Sequence, residues 1–315
     1  MDLSEYQRAA DETNRFKQGN PEGKVPSLLG LASETGSILD VYKKYLRDRI
    51  DVGENREFLR EELGDLLWYV AVVAKAFDLD LEEVAARNLE RTLDLYGPRP
   101  ALDTLAVLDR AYPDQERFPR RLTVEFTEQR SGDRLTASLK LIEADPNAFE
   151  HGPLNIDGKP VGFSIGQQLG ADLTDNSRRM DGYRFHDAIH MGFMAVLGWS
   201  PTMRALLRLK RKSDPKTDES EDGARAIYAE EGLSAVLSRL AERRSRFLSE
   251  TSVVGETIEV VRAVVMDLEV ESLPSWLWRM AITQGFQAMR KLRENSGGYL
   301  LANLDQCSLT YQKVR

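Results

Sequence analysis

The sequence predicts a mainly α-helical protein with an N-terminal four-helix bundle and an α+β C-terminal region, in which a small antiparallel sheet precedes a helical domain. Apolar residues recur at helical spacing through residues 1–97. Apolar and polar residues alternate in parts of 105–178, and helical spacing returns from Asp181. A length of 315 residues fits two domains. We place these at 1–97 and 98–315, the latter divided into a β-containing segment, 98–180, and a helical part, 181–315.

Four amphipathic helices account for the first domain. Ser4 is a potential cap of the first helix, and Gly19-Asn20-Pro21 follows it as a breaker. Asp80 opens the fourth helix and Gly97-Pro98 closes it. Short links between four such helices describe a bundle. The predicted helices are Leu3–Phe16, Ser27–Asp48, Arg56–Phe77 and Leu81–Leu95.

The β-containing segment begins with a predicted hairpin. Leu122–Glu128 and Leu135–Ile142 both alternate apolar and polar residues, and Ser131-Gly132-Asp133 provides the turn between them. A third extended piece is expected at Val161–Ile165, after the turn Asp157-Gly158-Lys159-Pro160. These segments together predict a small sheet with irregular connections.

Helices dominate the remainder of the sequence. The polar stretch Ser213–Gly223 carries Pro and Gly and is interpreted as a mobile loop. We interpret Gly297-Gly298-Tyr299 as a tight turn near the surface. The predicted helices lie near 183–197, 201–211, 224–248, 253–270 and 274–294.

The negative charge is concentrated in the first domain. The net charge of the chain is −8, of which −7 falls in residues 1–97 and −1 in the remainder. A strongly acidic segment disfavours binding to a nucleic-acid backbone. We therefore expect no nucleic-acid partner for this domain. The same negative charge suits a site that takes up cations.

The composition favours a soluble protein of the cytoplasm. No run approaches the ~18 apolar residues needed to cross a bilayer, so no membrane partner is expected. The start of the sequence lacks the basic and apolar regions of a signal peptide. Cys307 is the only cysteine, which excludes an intrachain disulfide and agrees with a reducing compartment.

Three carboxylates on two predicted helices form the first candidate site. Glu62 and Asp65 are three residues apart and share one helix face, and Glu34 lies on the preceding helix. The residues after Asp65 are almost all apolar, which predicts a buried helix. Buried carboxylates require neutralisation, and Mg²⁺ prefers such oxygen ligands. A solvated acidic face with capping Glu residues is the alternative interpretation.

Residues 1–97 resemble the MazG family of all-α nucleoside triphosphate pyrophosphohydrolases. The order, the spacing and the helical context of the matching motifs all agree with that family. These motifs are Gly30-Leu31-Ala32-Ser33-Glu34-Thr35-Gly36, Lys43-Lys44, Glu61-Glu62-Leu63-Gly64-Asp65-Leu66-Leu67-Trp68-Tyr69, Asn88-Leu89-Glu90-Arg91 and Tyr96-Gly97. The resemblance covers about a third of the chain.

This resemblance implies a reaction, a metal and a set of residues. The family hydrolyses a nucleoside triphosphate between the α and β phosphates, with a metal-held water as nucleophile and monophosphate and pyrophosphate as products. It implies Mg²⁺, with Mn²⁺ as a possible substitute, and a homodimer or tetramer. By resemblance the metal ligands are Glu34, Glu62 and Asp65. The candidates for contact with the phosphates are Lys43, Lys44, Asn88 and Arg91, of which Asn88 and Arg91 also fit an ordinary helix surface.

One position departs from the family pattern. Ser37 stands where the first family motif has its second Glu, so the site has one negative charge fewer. Asp40 is six residues from Glu34 and points roughly 240° around the helix, so it is no direct replacement. Glu61 is a supplementary candidate base. The alternative function is therefore a nucleotide sensor that binds without turnover and regulates the C-terminal domain.

A second candidate site lies around His186, Asp187 and His190. The two histidines share one helix face at a spacing that suits a metal ion. Hydrogen-bonded core or interface histidines are the alternative. Carboxylates from Glu230-Glu231, Glu256 or Glu259 are potential partners, whose packing the sequence leaves open.

Basic residues flank this second site. They suit phosphate groups, although Lys210-Arg211-Lys212 also fits a solvated helix end. Residues 181–305 resemble the C-terminal domains associated with MazG-type proteins, which carry no activity that we transfer. A separate metal- or nucleotide-dependent enzyme in this region is the third interpretation. The flanking basic residues are Arg178, Arg179, Arg184, Arg204, Arg208, Lys210, Arg211 and Lys212.

Overall fold

The computed structural model describes residues 1–16, 24–48, 56–102, 108–145 and 165–314. The chain forms two compact units, Met1–Leu93 and Asp94–Arg315. None of the helices in the described ranges is long and apolar enough to cross a membrane. The domain limits expected from the sequence stay a prediction.

The first unit consists of helices, as the sequence predicts. Helix α3 lies against both α1 and α2, and α4 joins this group through Leu81 at its start. Asp2, rather than Ser4, caps α1, because its side chain accepts a hydrogen bond from the Glu5 backbone and its own backbone N–H donates one to the Glu5 carboxylate. The predicted breaker at 19–21 lies outside the described residues. The helices are α1 (Leu3–Thr13), α2 (Val25–Asp48), α3 (Arg56–Ala76) and α4 (Leu81–Tyr96).

The expectation of a buried α3 is wrong for its first half. Ala71, Val72 and Ala74 are buried, but Leu63 and Leu67 are 54% and 40% exposed. The apolar face of a helix is covered only where another element lies against it. The core of this unit is correspondingly small, since its buried cluster consists of Ala10, Ala71, Ala74 and Leu81.

A five-stranded antiparallel sheet forms one layer of the second unit. The predicted hairpin is confirmed, and its turn is Gly132-Asp133, with Gly132 at a positive φ of 60°. Most of the third predicted extended piece, 161–164, lies outside the described residues. The order of the strands is β3-β2-β1-β4-β5. The strands are β1 (Arg121–Ser131), β2 (Arg134–Ala144), β3 (Gln168–Leu173), β4 (Gly297–Asn303) and β5 (Ser308–Gln312).

The interpretation of Gly297-Gly298-Tyr299 as a turn is wrong, because these residues begin β4. β4 pairs with β1 and β5. Two strands at 297–312 therefore complete a sheet whose first three strands lie at 121–173. A side chain at residue 297 would meet the carbonyl oxygen of Phe126 at 2.4 Å. Glycine therefore permits the close approach of β4 to β1.

Six helices are described in the second unit beyond α4, several of them shorter than predicted. A 3₁₀ turn, Tyr183–Phe185, precedes the α-helix predicted at 183–197. The supposed mobile loop contains α7, which begins where the Asp214 side chain accepts backbone hydrogen bonds from Lys216 and Thr217. The helices are α5 (Asp187–Leu197), α6 (Pro201–Leu206), α7 (Pro215–Ser220), α8 (Ala224–Ala241), α9 (Gly255–Val264) and α10 (Ser275–Asn295).

Helix α5 lies at the centre of the second unit. One side of α5 joins the sheet in a cluster that includes Val124, Leu141 and Met191. Its other side, through residues such as Phe193, joins a cluster formed largely by α8, α9 and α10. All eleven residues of α5 are buried as a result. His190 is therefore held in the interior by packing on both sides.

Candidate functional site

The carboxyl groups of Glu34 and Glu62 meet between α2 and α3. Hydrogen bonding to Glu62 raises the pKa of Glu34, and partial burial and the negative charges of Glu62 and Asp65 raise it further. Asp65 also acts on α1, because burial and then the charge of Asp65 raise the pKa of Tyr6. The structure thus brings the three carboxylates into one electrostatic cluster.

One oxygen of this carboxylate cluster has no partner. Oε2 of Glu62 is inaccessible to solvent and makes no hydrogen bond to any described residue. An inaccessible carboxylate oxygen without a donor is costly. Oxygen atoms from three carboxylates are the donor set that a hard divalent cation takes. The residues therefore offer the donor type that suits the Mg²⁺ implied by the resemblance, but their oxygen atoms do not all lie within 4.8 Å of one another and Asp65 is exposed, so their role as metal ligands stays a prediction.

The predicted phosphate-binding residues are less closely grouped. Lys43 and Lys44 both pair with Asp40, the latter at 2.8 Å. Hydrogen bonds to Lys43 and Lys44 lower the pKa of Asp40 to about 2. The two ammonium groups are therefore engaged with a carboxylate of their own helix.

The remaining predicted residues of the first site lie on exposed surfaces. Glu61, Asn88 and Arg91 are exposed, whereas Ser37 is partly buried. Within the described ranges, no hydrogen bond or ion pair connects Asn88 or Arg91 to the three carboxylates. Their assignment to the phosphates stays a prediction.

The second candidate site is a compact cluster around the start of α5. One ligand atom from each of His186, Asp187 and His190 lies within 4.8 Å of the others, and all three residues are buried. His186 donates from Nδ1 to the carbonyl oxygen of Tyr183 at 2.9 Å, and the Tyr183 ring stacks on its imidazole at 4.4 Å. These contacts fix the orientation of the ring.

Glu230 on α8 holds the second histidine. Its Oε1 accepts hydrogen bonds from His190 Nδ1 at 2.9 Å and from Ser200 Oγ at 2.6 Å. Its Oε2 accepts a hydrogen bond from the Thr202 backbone at 2.7 Å. The carboxylate is thus saturated on the side away from the cluster, and Nε2 of His190 faces inward.

The carboxylate of Glu231 spans the two imidazoles. Its oxygens lie 3.5 Å from His186 Nε2 and 3.5 Å from His190 Nε2. His190 Nε2 is inaccessible and makes no hydrogen bond of good geometry within the described structure. We name the four residues His186, Asp187, His190 and Glu231 the histidine cluster.

Burial and charge oppose each other in the histidine cluster. Burial raises the pKa of Asp187 despite the two neighbouring imidazoles. Burial would lower the pKa of His190, but Glu230 and Glu231 raise it well above its usual value. Burial likewise works against the charged form of Glu231, yet the two histidines lower its pKa. The cluster therefore favours positive charge at its centre.

The choice among the possible carboxylate partners comes from tertiary packing. Glu230 and Glu231 face the histidines, while Glu256 pairs with Arg244 and Glu259 is exposed. Sequence reasoning missed Ser200 and Thr202, which position Glu230. The Ser200-Pro201 pair carries a recognisable helix-start signal, and Ser200 does cap α6.

The phosphate interpretation of the flanking basic residues is wrong for three of them. Arg184 pairs with Glu128 and Asp175. Arg211 pairs with Asp222 and Glu269, and Arg204 pairs with Asp109. These guanidinium groups are buried and already bound to carboxylates.

A cavity of about 540 Å³ lies in the second unit, and Tyr183, whose ring stacks on His186 of the histidine cluster, forms part of its wall. This volume falls in the range of small-molecule sites. Side chains lining it include Tyr183, Arg239, Arg246, Phe286 and Arg290.

Comparison with known proteins finds two family domains in this chain. The MazG nucleotide pyrophosphohydrolase domain matches residues 26–93, and the MazG C-terminal domain matches residues 157–315. The Gene 37 protein of Mycobacterium phage L5 is 38% identical over 97 residues, which represent 29% of this chain and 85% of that protein. No solved structure matches significantly. The chain therefore belongs to the MazG family and combines a nucleotide pyrophosphohydrolase domain with a MazG C-terminal domain.

Proposed function

We propose that this protein hydrolyses a nucleoside triphosphate between the α and β phosphates, giving a monophosphate and pyrophosphate. Glu34, Glu62 and Asp65 would hold Mg²⁺, or Mn²⁺ in its place. The observation that carries this proposal is the meeting of Glu34 and Glu62, with one inaccessible Glu62 oxygen that has no donor. The match of residues 26–93 to a nucleotide pyrophosphohydrolase domain supports the choice of reaction.

Each group of residues has a distinct part in this proposal. A bound divalent cation would supply charge neutralisation of phosphate oxygens and acidify a water. Glu61 is exposed beside Glu62 and serves as the supplementary base that accepts a proton from the attacking water. Asn88 and Arg91 have exposed polar groups to offer a triphosphate, whereas Lys43 and Lys44 must first leave Asp40.

Ser37 supports a second candidate function. It lies three residues from Glu34 on the same face of α2 and supplies a neutral hydroxyl where the family has a carboxylate. Fewer charged ligands weaken cation binding. In this alternative, the first unit binds a nucleotide without turnover and regulates the C-terminal domain.

We also propose that the first unit associates into a homodimer or tetramer. Leu29, Leu39 and Leu89 are more than half exposed, whereas the buried cluster of the unit is small. Apolar side chains in such numbers are expected to be covered by another protein surface. Light scattering on the parent and on Leu39→Asp tests this: the parent should have at least twice the chain mass, and a monomeric parent would contradict it.

The product assay tests the main proposal. The full chain is incubated with each canonical and modified nucleoside triphosphate and Mg²⁺ or Mn²⁺, and the products are resolved. Equal amounts of monophosphate and pyrophosphate support the hydrolase. Diphosphate and phosphate would contradict the cleavage position, and tight binding without any product would favour the sensor.

The cytoplasm is the proposed location, on the grounds of a single cysteine and no membrane-spanning helix in the described residues.

A further inference from the structure

We infer that the histidine cluster is a second metal site, which binds a divalent first-row transition ion such as Fe²⁺, Co²⁺ or Zn²⁺. The ligands are Nε2 of His186, Nε2 of His190 and the carboxylates of Asp187 and Glu231. Glu230 is a positioning residue for His190. This inference does not depend on the proposed hydrolysis, because its residues all lie in the second unit.

The positions of the atoms fit a metal ion of this class. Ligand atoms of His186, Asp187 and His190 lie within 4.8 Å of one another. Metal bonds of about 2.0–2.2 Å place neighbouring ligand atoms roughly 3–4 Å apart. Glu231 brings a further carboxylate to 3.5 Å from each inward-facing nitrogen. A small contraction of the cluster would therefore complete a coordination shell.

The hydrogen bonds set both imidazoles in the form that binds metals. Nδ1 of His186 donates to the Tyr183 carbonyl, and Nδ1 of His190 donates to Glu230. In a neutral imidazole the other nitrogen, Nε2, then carries the lone pair. An outer carboxylate or carbonyl on each histidine is the arrangement found around metal-bound histidines.

The negative charge of the carboxylates around His190 also favours a bound cation. His190 and Glu230 are fully buried, and Asp187 is nearly so, with Glu231 beside them. Glu230 and Asp187 place two carboxylates in the interior and Glu231 adds a third at its edge, and buried carboxylates are costly without a cation beside them. The inaccessible His190 Nε2 has no hydrogen-bond partner in the described structure. A dication between Nε2 and the carboxylates satisfies both deficits.

The donor set distinguishes this site from the carboxylate cluster of the first unit. Imidazole nitrogens favour transition metals such as Zn²⁺ and Fe²⁺, whereas Mg²⁺ takes oxygen ligands. Two histidines with carboxylates therefore select a different class of ion from three carboxylates alone. The two regions of this chain would then hold chemically different metals.

Co²⁺ alone is the probe for this inference. The full chain is stripped with a chelator, dialysed and titrated with Co²⁺, while visible absorption and bound metal are measured. A visible absorption band typical of Co²⁺ with nitrogen ligands is expected to saturate at one equivalent, whatever further Co²⁺ the carboxylate cluster binds. Glu231→Gln and His186→Asn should each weaken Co²⁺ affinity at least tenfold, and Glu230→Gln should weaken it about 10–100-fold.

Matched variants keep the test specific. Glu259→Gln removes an exposed carboxylate of α9, and Glu62→Gln removes one from the first unit, so both should retain the band. Because Glu231 is 39% exposed, Glu231→Gln should keep the fold, and circular dichroism checks this. Absence of the band in the parent, its survival in both cluster variants, or its loss in Glu62→Gln would each overturn the site.

Discussion

The carboxylate cluster and the histidine cluster differ in how completely the surrounding protein holds them. Glu34 and Glu62 meet between two helices whose apolar faces remain largely exposed. His186 and His190 lie in the interior, and each Nδ1 has a fixed partner. By our proposals, the first arrangement takes its final geometry from a bound cation and from a partner copy. The second is preorganised by packing and by an outer set of hydrogen bonds.

The largest expected effect tests the rigidity of the second unit. Asp222 is fully buried, and its carboxylate accepts hydrogen bonds from both the backbone N–H and the guanidinium of Arg211. Asp222→Ala leaves a buried guanidinium with less compensation and should lower the free energy of unfolding by about 3–5 kcal/mol. Urea unfolding followed by tryptophan fluorescence reports on this unit, because it contains three of the four tryptophans.

The control for Asp222→Ala is a carboxylate of the first unit. Glu57 is 77% exposed and pairs with Arg60 on α3. Followed by circular dichroism, to which the helices of both units contribute, Glu57→Ala should leave the unfolding midpoint unchanged, since exposed ion pairs contribute little. Equal effects of the two substitutions would show that the contrast between the two regions is mistaken.

A smaller effect is expected where α5 crosses α10. A side chain at Gly192 would lie 2.9 Å from the Ala281 carbonyl oxygen and 2.9 Å from the Gly285 Cα. Since these are backbone atoms, Gly192→Ala should lower the free energy of unfolding by about 1–3 kcal/mol. It should also weaken Co²⁺ binding, because α5 carries His190.

Gly232→Ala on α8 is the matched control for that crossing. Nothing lies within 4 Å of a side chain built at Gly232. Because Gly232 is exposed, Gly232→Ala should raise the free energy of unfolding by about 0.4–1 kcal/mol. A stable Gly192→Ala variant with normal Co²⁺ binding would remove the argument that tight packing preorganises the histidine cluster.

The smallest effect concerns the missing carboxylate of the first unit. Ser37→Glu places a fourth carboxylate on the face of Glu34 and should lower the Mg²⁺ concentration for half-maximal turnover about tenfold, roughly 1.4 kcal/mol. Thr35→Glu adds the same charge next to Glu34 but about 160° around the helix from residue 37, so it should have little effect. If Ser37→Glu binds nucleotide tightly and still yields no product, the sensor is favoured over the hydrolase.

Local sequence patterns predicted the helices of the first unit well. They failed in the second unit where a strand forms only by pairing with residues far away in the sequence. Helical periodicity placed α3 and α4 to within one residue at each end. β4 and β5 were missed because Gly297-Gly298 resembles a turn until β1 lies beside it. The helix α7 was missed because overall polarity outweighed the Asp214-Pro215 start signal.

The candidate sites show the same limit. The spacing of Glu62 and Asp65, with Glu34 upstream, predicted the cluster that the structure brings together. The sequence also placed His186 and His190 on one face. It did not distinguish Glu230 and Glu231 from Glu256 and Glu259, because only the packing of α8 against α5 decides which carboxylates face the histidines.

The most direct test of the account is the rate of pyrophosphate release with Mg²⁺ in the full chain, compared among the parent, Glu62→Gln and Glu57→Gln. Both substitutions remove one carboxylate from α3, but only Glu62 contacts Glu34. The account predicts a loss on the order of 100-fold or more for Glu62→Gln, since a catalytic metal contributes several kcal/mol, and an unchanged rate for Glu57→Gln. Undiminished pyrophosphate release by Glu62→Gln would contradict it.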